Sequence, residues 1–319
     1  MANILITGAG FSRNWGGWLA NEAFEYLLGV DDLHPRVRRL LWDHKERKQG
    51  FEGVYTALKS AATNPTEQDI FLQFDAAVSG MFHVMRGGFA SATLYSHILR
   101  FLAQFEAIFT LNQDTLMEQK YLAFGRDDFR EFSGGVFFGG EAPGLKKAQD
   151  KEWESPGFYT PTEPPYKISE RFQPYFKLHG SSNWTASNDG RLMLILGGGK
   201  DAEIHKYPLL TWYFSEFERR IAGNQVVIIG YSFGDEHINK RLSAAARKGT
   251  RYFIIDPNGA DVVDKRDPRA QIPQPRDEFM ETMMECIDGA SRRSLLSTLQ
   301  EDRIERTKLN HFMTAHERK

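Results

Sequence analysis

The sequence has a single cysteine, Cys286, so neither an intrachain disulfide nor a metal site built from cysteine pairs can form. No apolar run approaches the roughly 20 residues needed to cross a bilayer, so no membrane contact is expected. The opening Met-Ala-Asn-Ile-Leu-Ile lacks the charged start and cleavage site of a secretory leader, which makes a cytoplasmic location the expectation. Charge of one sign is lacking too. Forty Lys and Arg stand against 42 Asp and Glu, a net charge of −2, which removes the global field that draws proteins onto nucleic acid or anionic lipid. No direct nucleic-acid binding is expected. His34, His44, His205 and His237 are scattered without an i, i+4 pair, so no metal is expected either. Asn183-Trp-Thr185 has the glycosylation pattern, but a cytoplasmic chain does not meet the enzyme that reads it. There is no internal repeat.

What is present is an ordinary globular composition, 41% hydrophobic and 26% charged, long enough for one large domain with insertions or for two. Short apolar runs at 3–7, 107–111, 175–178, 225–229 and 252–255 read as buried strands, and the periods of 209–221 and 236–246 read as helices. Such alternation predicts a doubly wound parallel sheet of the Rossmann-like α/β class. Between about 18 and 105 the pattern is helical, with Val37, Leu40 and Leu41 on one face and Ile70, Phe71, Phe74, Val78 and Phe82 on another. Thr115-Leu-Met-Glu118 reads as a capping box. A loop-rich insertion is expected over about 124–172, where Gly, Pro and aromatic residues follow no period. After a catalytic domain of 1–260, the segment 261–319 reads as a linker with Pro268, Pro273 and Pro275 and then a helical extension. Met280, Met283, Met284, Leu295, Leu296 and Leu299 give that extension an apolar face, which either packs on its own domain or meets a partner.

Five short stretches fall at or just beyond the carboxyl ends of these strands, where ligands of open parallel sheets collect. They are Gly8-Ala-Gly-Phe-Ser12, Thr110-Leu-Asn-Gln-Asp114, Lys177-Leu-His-Gly180, Gly230-Tyr-Ser-Phe-Gly-Asp235 and Asp256-Pro-Asn258. The first is a glycine turn that lets backbone N–H groups approach a pyrophosphate. It lacks the third glycine of the common dinucleotide fingerprint, and no G-K-[ST] follows, which disfavours a Walker-type ATPase. Singly, each stretch has a structural reading. Asn112 or Asp114 could cap a helix, His179 could be a core histidine, and Ser232 and Asp256 could be turn residues. Their joint placement on successive strand ends points to a ligand crevice.

In this order the motifs resemble the sirtuin family, and Lys177-Leu-His-Gly-Ser181 with Gly230-Tyr-Ser-Phe-Gly-Asp235 and His237 is most similar to the bacterial sirtuin-like NAD hydrolases of antiphage defence. The resemblance implies that NAD is a substrate. Gly8, Ala9, Gly10 and Ser12 would hold the pyrophosphate, Gly230 and Ser232 the opposite wall, and Asp256 or Asn258 the adenosine ribose. Asn112 would orient the water or the ribose, His179 would act as base, and Asp114 would brace Asn112. Sirtuin deacylases carry a zinc held by two cysteine pairs, which this chain cannot build, so no zinc ribbon and hydrolysis to nicotinamide and ADP-ribose are expected. After Gly16-Gly17 the chain reads Trp-Leu-Ala-Asn where the deacylases have Pro-Asp-Phe-Arg, so the nicotinamide pocket is built differently. The resemblance further implies a regulated NAD-depleting effector that forms a homo-oligomer or pairs with a partner ATPase of the HerA type.

Two other readings compete. Gly230-Tyr-Ser-Phe-Gly234 matches the nucleophile elbow of α/β-hydrolases, with Ser232, Asp256 and His311 in the right chain order for an esterase. Alternatively, the fold binds NAD or ADP-ribose without chemistry, as a subunit of an assembly.

Overall fold

A computed structural model of the chain describes residues 1–47, 49–122, 139–148, 158–186, 192–266 and 274–315. Its strands are β1 (Asn3–Thr7), β2 (Ala107–Thr110), β3 (Gly140–Glu141), β4 (Leu145–Lys147), β5 (Tyr159–Pro161), β6 (Gln173–Lys177), β7 (Gly180–Thr185), β8 (Leu192–Leu194), β9 (Gln225–Ile229), β10 (Arg251–Ile255) and β11 (Ile287–Ser291). The first helices are α1 (Ala9–Arg13), α2 (Ala20–Leu28), α3 (Pro35–Glu46), α4 (Gly50–Ala61), α5 (Pro65–Ala90), α6 (Ser96–Leu102) and α7 (Leu116–Lys120). Then follow α8 (Lys200–Ile204), α9 (Pro208–Ile221), α10 (Glu236–Ala246), α11 (Glu278–Cys286), α12 (Leu295–Gln300) and α13 (Arg303–Met313).

Seven strands form one sheet in the order β11-β10-β9-β1-β2-β6-β3, every pairing parallel. A parallel sheet covered on both faces needs strands that are apolar throughout. Ile4, Leu5 and Ile6 of β1 and Val226, Val227 and Ile228 of β9 have no exposed surface. The expected doubly wound architecture is therefore present. The strand order reverses at β1, with β9 on one side and β2 on the other, which opens a crevice at the carboxyl ends of these strands.

The helical insertion is α2 to α6. Helix α5 starts at Pro65 with the Asn64 side chain accepting from Glu67 N, and it buries Ile70, Phe74, Val78 and Phe82 along the anticipated stripe. The capping box expected at Thr115 is not formed. Asp114 Oδ1 accepts from Leu116 N at 3.0 Å instead, and Glu118 turns inward to a buried ion pair with Lys177 at 2.6 Å. Of the loop-rich insertion, 123–138 and 149–157 lie outside the described residues, as do Pro268 and Pro273 of the linker. The rest of the insertion helps to form a second, four-stranded sheet, β4-β5-β7-β8.

The C-terminal segment is not helical throughout. Strand β11 pairs in parallel with β10 and closes that edge of the main sheet. Met280, Met283 and Leu295 are buried, Leu296 and Leu299 are packed against the core, and Met284 is 48% exposed. The apolar face thus packs on its own chain. No helix of the described residues is long and apolar enough to cross a membrane.

Candidate active site

The turn after β1 and the turn after β9 meet at the crevice. Gly8 N donates to Ile229 O at 2.9 Å and Gly10 N to Gly230 O at 3.0 Å. A Cβ on Gly8 would lie 2.5 Å from Gly230 O, and one on Gly10 would lie 2.7 Å from Gly230 Cα. Gly230 itself has φ +60°. Both turns need glycine so that two backbones can touch, and a Cβ would wedge them apart. The amides of Gly8 and Gly10 are therefore spent on this seam rather than aimed at a ligand.

Beside the seam lies a cavity of about 720 Å³, within the range of small-ligand sites. Gly8, Ala9 and Gly10 after β1, Asn112 and Asp114 after β2, His179 after β6, Gly230 and Ser232 after β9, and Asp256 and Asn258 after β10 all line it. Every site residue named from the sequence except Ser12 thus faces one space. Ser12 is buried behind the wall, where its Oγ accepts from Asn112 Nδ2 at 2.9 Å. Asn112 N in turn donates to Thr110 Oγ1 at 3.1 Å. Asn112 is thus held by Ser12 and Thr110, and Asp114, expected to brace it, is engaged at the start of α7. The Ser12–Asn112 bond was not visible in the sequence because the two residues are 100 positions apart. At the far end, Asp256 Oδ1 accepts from Asn258 N at 2.9 Å, and Arg293 and Ser294, beyond β11, complete the lining.

His179 is 2% exposed, and burial pushes its imidazole down to about 3, with Lys200 adding to the shift. Its imidazole is therefore uncharged near neutral pH. Its Nε2 lies 2.9 Å from His237 Nε2. Burial likewise lowers His237, to about 4, against the opposing pull of Asp235. Burial opposes ionisation of Asp235, yet the Lys200 ammonium beside it holds its carboxyl below the usual range. Lys200 bridges Asp235 Oδ1 at 2.7 Å and Glu52 Oε2 at 2.8 Å. Burial lowers the Lys200 ammonium, but these two carboxylates more than offset it and the net shift is upward. Burial raises the Glu52 carboxyl despite Lys200. His237 is thus not isolated, as its place in the sequence implied. It joins His179 and Asp235, with ligand atoms all within 4.8 Å of one another. This polar layer also walls a second cavity, lined by Glu52, Lys200, Asp235 and His237 but not by His179.

The esterase arrangement is not assembled. The positive φ of +53° in the elbow falls on Phe233 rather than on Ser232, whereas an elbow strains its nucleophile. His311 lies on α13, whose next residues Phe312 and Met313 accept through their carbonyls from Gln225 and Asn3. Those are the first residues of β9 and β1, the opposite edge of the sheet from Ser232.

Residues 106–282, more than half of the chain, match the family described as SIR2-like domain. Among solved structures, an ADP-ribose complex of a Sir2 homologue mutant is similar at 13% identity and a TM-score of 0.43, over 99% of this chain and 94% of that one. An NAD complex of a Sir2 homologue is similar at 12% identity and a TM-score of 0.41, over 97% and 90%. No curated protein matches.

Proposed function

Because the chain belongs to the family of SIR2-like domains, we propose that it binds NAD along the carboxyl edge of the main sheet and hydrolyses it to nicotinamide and ADP-ribose. One observation carries the reading: a single cavity meets Asp256, Gly230, Gly8, Asn112 and His179, which follow β10, β9, β1, β2 and β6, five adjacent strands in that order. Four strand spacings of about 4.8 Å span ~19 Å, the reach of an extended dinucleotide. Asp256 and Asn258 take the adenosine ribose. The pyrophosphate lies over the seam of Gly8, Gly10 and Gly230, whose missing side chains let it come close although the Gly8 and Gly10 amides are engaged, with Ala9 and Ser232 beside it. Asn112 and His179 flank the ribose that carries nicotinamide.

In the reaction a water oxygen bonds to the ribose carbon while the carbon–nitrogen bond breaks, its electron pair leaving with nicotinamide. Positive charge builds on the ribose. With Nδ2 engaged by Ser12, the Asn112 side chain presents its carbonyl oxygen, the negative end of a fixed dipole, to that charge. His179, uncharged and lining the same cavity, takes the proton of the water as attack on the ribose carbon makes that water strongly acidic. The single cysteine favours hydrolysis over deacylation, since no four-cysteine zinc module can form.

A free NAD hydrolase depletes its own cell. Regulation is therefore part of the proposal, through a homo-oligomer or a HerA-type ATPase in antiphage defence. The test is incubation of the purified protein, alone and after size determination, with NAD and no acylated peptide. Nicotinamide and ADP-ribose in equal amounts are expected. NAD that binds without being cleaved would leave a non-catalytic subunit as the better reading.

A further inference from the structure

The functional reading leaves Asp235 and His237 without a task. They stand on one turn, Asp235 as the N-cap of α10 and His237 in its first turn, and they face His179 from across the crevice. We propose that His179, His237 and Asp235 form a Zn²⁺ site whose occupation inhibits the nucleotide chemistry. The site itself stands on geometry alone, whereas the inhibition rests on the proposed hydrolysis.

The donors suit the ion. Two imidazole nitrogens and a carboxylate oxygen within 4.8 Å are a donor set that zinc prefers, whereas magnesium and calcium take oxygen alone. Tetrahedral zinc with Zn–N bonds of about 2.05 Å places two nitrogens ~3.3 Å apart. The two Nε2 atoms are 2.9 Å apart, so the rings need only a small parting. His179 is already set as a ligand. The Leu111 backbone lies against its ring and favours a ring N–H, and because Nε2 faces His237, that N–H is assigned to Nδ1. Such a contact fixes the tautomer of metal-ligating histidines and leaves the Nε2 lone pair outward. In the metal-free pair His237 then donates Nε2–H to that lone pair, and zinc binding moves this proton to His237 Nδ1.

The charge around the site also suits a dication. The ionic groups that face the site are Glu52, Asp235 and Asp201 against Lys200 and Arg241, three negative and two positive. Arg241 is occupied by Glu218 at 2.8 Å and Asp201 at 3.3 Å, and Lys240 pairs with Glu236 at 2.7 Å. Lys200 already shares its ammonium with Glu52, so it can stay there when zinc takes Asp235. Asp235 lines both cavities, His179 the first and His237 the second, so water is at hand for the fourth position, as in zinc sites with three protein ligands. In turnover the water displaces the His237 N–H from the His179 lone pair, whereas bound zinc holds that lone pair too firmly to be displaced, and turnover stops.

The experiment titrates the EDTA-stripped full chain with Zn²⁺ against a chromophoric chelator and, in parallel, follows NAD cleavage. One zinc per chain is expected, with at least tenfold weaker binding in both His237→Gln and Asp235→Asn. Co²⁺ in place of zinc is expected to show the intense visible bands of a tetrahedral site, absent in both variants. In the wild type, cleavage falls with one equivalent of zinc and returns with EDTA. A wild type without NAD turnover that binds one zinc through these residues would contradict the hydrolase reading and keep the site. Absence of stoichiometric binding, or binding that both substitutions leave unchanged, would overturn the proposal.

Discussion

Replacing Ser12 by alanine separates two roles that the sequence and the structure give to this residue. The family resemblance placed it against the pyrophosphate, whereas its hydroxyl is buried and accepts from Asn112 Nδ2 at 2.9 Å. Alanine is close to serine in volume, so the change removes the bond with little disturbance of packing. A buried amide donor left without its partner costs about 1–3 kcal/mol. That cost falls on the orientation in which Asn112 presents its carbonyl oxygen, so it is lost from the transition state. At about 1.4 kcal/mol per tenfold in rate, kcat is expected to fall roughly 5- to 150-fold. The affinity for ADP-ribose should change by less than about twofold, since no contact to the nucleotide is removed. The assay is steady-state release of nicotinamide beside calorimetric titration with ADP-ribose, both on Ser12→Ala and wild type. A variant with unchanged kcat and weakened nucleotide binding would refute the reasoning and restore Ser12 to the pyrophosphate.

Two further substitutions probe other parts of the account. Lys177→Met removes the cation from a fully buried pair with Glu118 and leaves a carboxylate uncompensated, which should cost about 3–5 kcal/mol in urea unfolding. Adding Glu118→Gln should recover part of that loss, and a double variant no more stable than the single one would contradict the pairing. Asp256→Ala removes a carboxylate from the adenosine end, so KM for NAD should rise about 5- to 30-fold, a loss of about 1–2 kcal/mol, with kcat nearly unchanged. A fall in kcat at constant KM would place Asp256 at the reacting end.

The parallel half of the fold was legible because its strands are apolar on both faces. Val226, Val227, Ile228 and Ile229 leave no other reading beside a glycine turn. Strand β11 was not legible, since Ile287-Asp-Gly-Ala-Ser291 has no apolar run and lies at the edge of the sheet. Strand β7 was hidden for a different reason. Its Ser181 and Asn183 are polar yet buried, held by hydrogen bonds among Lys177, Glu118 and each other that have no local sequence signature. The site followed the same division. That residues on strand ends share one cavity was legible from position alone, but which residue holds which was set by contacts across 100 positions for Ser12 and Asn112 and 58 for His179 and His237. The family resemblance assigned Asp114 to Asn112, and the turn into α7 claimed it instead.

The central claim is that Asn112 and His179 act on a nucleotide bound along the sheet edge. It is tested most directly by measuring, on the same preparations of wild type, Asn112→Ala and His179→Ala, both ADP-ribose affinity and nicotinamide release from NAD. Retained affinity with release reduced at least 100-fold in both variants, about 2.7 kcal/mol of transition-state stabilisation, is the predicted result. Undiminished release in both variants would contradict it.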